Sequence, residues 1–93
     1  MKAVIVSSSD NCAACDKLKV YLKKMEWEGY DMSYFTVTED PMARVAFKVL
    51  GVPTTVILDE DDEEVDRKVG APNWGEWFYF LEKHGLMKKK RGG

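Results

Sequence analysis

The sequence predicts an α/β domain, a four-stranded mixed sheet flanked by helices in the order β-α-β-α-β-β-α. Three observations carry that prediction. Short runs of apolar, β-branched residues alternate with longer segments whose apolar residues recur at helical spacing. Asp-Pro, Asn and Gly signals stand at the joints between them. The last two strand-like runs are separated only by a short acidic link, which makes them an antiparallel hairpin.

Lys2 to Ser7 contains the continuous apolar run Ala3-Val4-Ile5-Val6 and reads as a buried strand. Ser7 to Asn11 is a polar loop rich in capping residues. From Ala13 the pattern turns helical: Leu18, Tyr21, Leu22 and Met25 form one stripe, and Lys17, Lys19, Lys23 and Lys24 lie off it, up to a stop at Gly29. Met32 to Val37 reads as the second strand, helped by Tyr34 and Phe35. This β-α-β start implies a parallel pair with a right-handed crossover. Asp40-Pro41 then opens a helix, with Asp as cap and Pro at its first position. Met42, Val45, Ala46 and Val49 are its expected apolar face, and Gly51 its expected stop. Thr54 to Leu58 and Val65 to Val69 are the hairpin strands. Asn73 and Glu76 form a capping-box-like start for a last helix, with Trp74, Trp77, Phe78 and Leu81 as a packing stripe and Gly85 as stop.

The chain has 93 residues, 45 % hydrophobic and 32 % charged, the composition of one small globular domain. No stretch approaches the roughly 20 apolar residues of a membrane span. The opening apolar run turns polar at Ser7, too soon for a signal peptide, so a cytoplasmic location is expected. The formal charge of −2 is unevenly placed. Lys88 to Arg91 form a basic, solvated tail ending in Gly92-Gly93, and the body that remains is acidic. An acidic body argues against nucleic acid as a partner. The acidic run from Asp59 to Glu64 reads as a solvated turn, because it lacks the spacing of a calcium loop.

The chemistry lies in Cys12-Ala13-Ala14-Cys15, placed between the first strand and the first helix. Two thiols at this spacing reach each other, and their disulfide closes a very small loop that is made and broken readily. As a staple it would stabilise little. A zinc site needs four ligands where this pair offers two, and His84 stands far along the chain without a partnering motif. A metal or iron–sulfur site shared between two chains, or two unreactive buried cysteines, remain as alternatives. Cys12 sits where the free N–H groups of a helix start converge, so it is assigned as the nucleophile. Asp10 and Asp16 oppose its ionisation and Lys17 favours it. Cys15, one turn further in and expected to be more buried, is the resolving thiol.

With these features and Gly51-Val52-Pro53-Thr54-Thr55 downstream, the chain resembles the thioredoxin/glutaredoxin superfamily from Lys2 to about His84. The resemblance implies a thioredoxin-like fold over residues 1–87, followed by the tail 88–93. It implies a cis-proline at Pro53 facing the thiol pair, so that Val52 offers its N–H and C=O to an extended substrate segment. Gly70 and Ala71 would complete the cradle. The implied activity is thiol–disulfide exchange by a monomeric electron carrier, with no cofactor beyond the redox-active pair. Its substrates would be protein disulfides, ribonucleotide reductase among them. Its donor would be a thioredoxin-reductase-like flavoenzyme or, in a glutaredoxin, glutathione. Length and the direct start at the CxxC unit are similar to glutaredoxins. Ser9-Asp10-Asn11, where glutaredoxins commonly place Lys, and Gly70-Ala71-Pro72-Asn73, where they carry Gly-Gly and Asp, are not. The buried Asp of thioredoxins aligns with Val6. A non-catalytic binding module on the same fold is the alternative from another class.

Overall fold

In the computed structural model, which describes residues 1–88, strand β1 (Lys2–Ser7) leads into helix α1 (Ala13–Met25) and a 3₁₀ turn (Trp27–Gly29). Strand β2 (Met32–Thr36), helix α2 (Pro41–Ala46), strands β3 (Thr54–Leu58) and β4 (Glu64–Val69) and helix α3 (Trp74–Glu82) follow. The strand order is β2-β1-β3-β4. β1 runs parallel to β2, with Ile5 opposite Tyr34, and antiparallel to β3, with Ile5 opposite Thr55. β3 and β4 form the expected antiparallel hairpin, with an irregularity at Ile57/Leu58.

β1 is apolar without interruption because both of its faces are covered. Ala3 and Ile5 pack with Leu18, Tyr21 and Leu22 of α1 and Trp77, Phe80 and Leu81 of α3. Val4 and Val6 turn to the opposite face and pack with Ala43, Val49, Val56 and Leu58. The functional consequence is positional: the end of β1, at the centre of the sheet, delivers the chain directly into the start of α1.

Several boundaries move. α1 ends at Met25, short of Gly29, because Glu26 takes the left-handed conformation (φ 55°) and returns its N–H to the Leu22 and Lys23 carbonyls. β2 ends at Thr36 and β4 begins at Glu64, each one residue from expectation. The expected face of α2 is wrong. Met42 and Val45 are 66 % and 67 % exposed, Ala46 is exposed, and Ala43 is the buried residue of the helix. The helix stops at Ala46, and Lys48 turns left-handed (φ 52°), so Val49 is buried by the loop rather than by helical spacing. In α3 the buried residues are Trp77, Phe80 and Leu81; Trp74 and Phe78 lie at its margin. Of the predicted tail 88–93, Lys88 is exposed, and Lys89 to Gly93 lie outside the described residues. Among the described residues no helix is long and apolar enough to cross a membrane.

Candidate active site

The loop between β1 and α1 is tied down locally before it reaches the thiols. The Ser8 hydroxyl accepts the Asp10 N–H at 3.1 Å, and Ser9 Oγ lies 3.2 Å from Thr38 Oγ1. Asn11 takes a left-handed φ of 43°, a conformation that Asn tolerates better than most residues. Cys12 is then the N-cap of α1, in an extended conformation, and its sulfur accepts the Cys15 N–H at 3.1 Å. A sulfur thus takes the place usually filled by a Ser, Thr, Asp or Asn oxygen.

Cys12 and Cys15 are joined by a disulfide, with Cα atoms 5.2 Å apart. Cys12 is partly exposed, whereas Cys15 is 2 % exposed. The Ser8 N–H points at Cys15 Sγ from 3.3 Å. Each sulfur therefore has one backbone amide directed at it, a local field that favours negative charge on either. The Ser8 contact has no sequence signal, because any residue other than proline supplies the same amide.

The Val52–Pro53 peptide is cis. The Val52 carbonyl oxygen lies 3.9 Å from Cys12 Sγ. Thr54 Oγ1 donates to the Gly51 carbonyl at 2.6 Å, closing the turn that carries Pro53. The Gly70 N–H donates to the Pro53 carbonyl at 2.7 Å. Gly70 needs its φ of +90°, and a Cβ there would meet nothing within 4 Å, so the space above it is open. Ala71 packs on the cluster beneath α1 and α3. The structure thus brings Cys12, Cys15, Val52, Pro53 and Gly70 together, with Ala71 anchored alongside.

Val6 is fully buried on the α2 face. His84 lies elsewhere, its Nε2 2.8 Å from Asp66 Oδ2. Among the described residues no group of three or more His, Cys, Asp or Glu side chains is placed to hold a metal. A cavity of about 470 Å³ between α1, the 3₁₀ turn and Tyr34 of β2 shares no residue with the thiol site.

No protein-family model matches the chain. A thioredoxin-like protein of Bacillus subtilis (strain 168), the SPbeta prophage-derived YosR, is 38 % identical over 66 residues, 68 % of this chain and 76 % of that protein. The chain belongs to the thioredoxin/glutaredoxin superfamily. Solved thioredoxins share its architecture. Thioredoxin 1 of Thermosipho africanus TCF52B matches with a TM-score of 0.65 and 25 % identity, over 90 % of this chain and 93 % of that one. Plasmodium falciparum thioredoxin matches with a TM-score of 0.74 and 16 % identity, over 89 % and 84 %. The fold is thioredoxin-like. A CxxC pair at disulfide distance on this fold makes the chain, in general terms, a thiol–disulfide oxidoreductase.

Proposed function

We propose that this thioredoxin-like protein reduces protein disulfides by cycling Cys12 and Cys15 between dithiol and disulfide. The observation that carries the reading is the asymmetry of the pair: a partly exposed sulfur at the tip of α1, backed by a buried one. The Cys12 thiolate attacks one sulfur of the substrate disulfide, whose S–S bond breaks, and the departing thiolate takes up a proton. Cys15, deprotonated and facing the Ser8 amide, then attacks Cys12 Sγ. The second substrate thiolate leaves and is protonated, and the Cys12–Cys15 bond closes. Two electrons and two protons pass from the pair to the substrate. Val52, whose carbonyl faces Cys12, offers its backbone to an extended segment, and Gly70, held to the same turn through Pro53, leaves open space for it.

Protein disulfides, ribonucleotide reductase among them, are the proposed substrates of a cytoplasmic, monomeric carrier with no further cofactor. A thioredoxin-reductase-like flavoenzyme is the proposed donor. Glutathione fits less well, because exposed Asp10 next to the site repels an anionic tripeptide. Reduction of the oxidised protein in parallel by thioredoxin reductase with NADPH and by glutathione should run faster with the former.

Cys12→Ser is expected to abolish insulin-disulfide reduction. Cys15→Ser should accumulate a mixed disulfide visible by mass spectrometry. Full insulin reduction by the Cys12→Ser protein would sink the assignment.

A further inference from the structure

One buried phenol has no part in the exchange steps. Tyr21 is 8 % exposed, and its ring lies 5.2 Å from that of Trp74 and 5.7 Å from that of Trp77. A buried phenol O–H requires an acceptor. Here it donates at 2.8 Å to the main-chain carbonyl of Pro72, in the segment between β4 and α3. The other end of that segment is held by the Gly70 N–H on the Pro53 carbonyl. Pro53 follows Val52, whose carbonyl faces Cys12 Sγ. Cys12 in turn caps the helix that carries Tyr21. The contacts close a circuit: Cys12, Val52-Pro53, Gly70 to Pro72, Tyr21, and back along α1. Its return arm is a helix, which does not stretch, and Tyr21 stands roughly 9 Å along the axis from Cys15 at 1.5 Å per residue.

We propose that the Tyr21 hydroxyl is a positioning group for polypeptide substrates. It holds the Gly70–Pro72 segment against α1 and so keeps the cradle in register with Cys12. The inference rests on the disulfide-reducing reading above. Tyr21 touches neither sulfur; what it sets is the distance between the nucleophile and the backbone that receives the substrate. A polypeptide laid along Val52 and Gly70 depends on that distance. A small disulfide that meets only Cys12 Sγ does not. Without the hydroxyl, the carbonyl of half-buried Pro72 turns to water, and the segment keeps the Gly70 hydrogen bond and the packing of Ala71 but loses its tie to α1.

Tyr21→Phe keeps the ring and removes only the hydroxyl. Pre-reduced wild type and variant are mixed with excess insulin or with 2-hydroxyethyl disulfide, each molecule giving two electrons once, with no other reductant present. The second-order rate constant for insulin is expected to fall about fivefold in the variant, the scale of one lost hydrogen bond. That for hydroxyethyl disulfide should stay within about twofold. An unchanged insulin rate overturns the role of Tyr21. Equal losses on both probes overturn it too, since they mark a general disturbance of the fold. A wild type that oxidises with neither probe removes the disulfide-reducing reading itself, and the role of Tyr21 with it.

Discussion

Beneath α1 and α3 the sheet is covered by large, interlocking side chains: Leu18, Tyr21 and Leu22 from one helix, Trp77, Phe80 and Leu81 from the other. Beneath α2 the helix contributes Ala43, while Met42 and Val45 face outward and Leu50 is 93 % exposed. The thin face is held by another means as well. Arg67 Nη2 donates to the Phe47 carbonyl at 2.8 Å and Nη1 to that of Lys48 at 3.2 Å. Arg44 reaches the Val49 carbonyl at 3.2 Å and that of Leu50 at 3.4 Å. Consecutive carbonyls after a short helix, which water would otherwise serve, are thus gathered by two guanidinium groups. One face is packed by large helical side chains; the other packs smaller residues, with Phe47 on Phe35, and is pinned by arginine as well. The cradle draws on both faces: Ala71 packs beneath α1 and α3, and Val52 packs on the α2 side.

This contrast can be broken or sharpened by mutation. Trp77→Ala removes a fully buried ring and its 3.4 Å contact with Thr55 Oγ1. It should cost about 4 kcal/mol in urea unfolding, and a loss near 1 kcal/mol would show that the aromatic face is not the main support. Arg67→Ala should cost about 1.5 kcal/mol. Its mark should be faster amide exchange confined to the α2 region, with the α1 amides unaffected. Arg67→Lys should restore little, because an ammonium cannot span Glu64 and two carbonyls at once. Acid should have the smallest and most local effect. The Glu64 carboxyl is held below its ordinary range chiefly by its hydrogen bond from Arg67, and that of Asp66 chiefly by its hydrogen bond from His84. Both folded-state values are depressed, so their stabilisation is present above the unfolded values, near pH 4, and is lost as pH falls through the lower folded ones. Both groups are substantially exposed, which keeps the effect small. Thermal midpoints measured between about pH 5 and pH 2.5 should fall less steeply in Arg67→Ala than in wild type. Identical slopes would remove Glu64 from the account.

The same contrast decides how much was legible in the sequence. β1 and β3 have the expected bounds because strands buried on both faces leave unbroken runs of apolar or β-branched residues, as Ala3 to Val6 and Thr54 to Leu58 do. The stripe of α1 was readable because four of its residues meet a broad packed surface. The face of α2 was not. Six residues are too few for periodicity to outweigh composition, and much of what holds the segment lies outside the helix: Phe47 and Val49 after it, and arginines on carbonyls, which leave no helical pattern. Phe80 was missed beside its more conspicuous aromatic neighbours, although it stands three residues from Trp77 on the buried face. The spacing and placement of Cys12 and Cys15 pointed to the candidate site, and the two sulfurs are bonded in the structure. Pro53 emerged only through the family resemblance, since an isolated proline at a strand start is ordinarily trans. The Ser8 and Pro72 contacts were invisible, because each uses a main-chain atom that any sequence supplies.

β4 is an edge strand that reads Glu-Val-Asp-Arg-Lys-Val, and its pairing with β3 slips at Ile57/Leu58. Charged side chains and a broken register make a poor template for a foreign strand. Along that flank the molecule therefore resists backbone zippering with other chains, the usual seed of fibrous aggregation. An encounter made at the Cys12 end can come apart again without the two sheets merging from the β4 side.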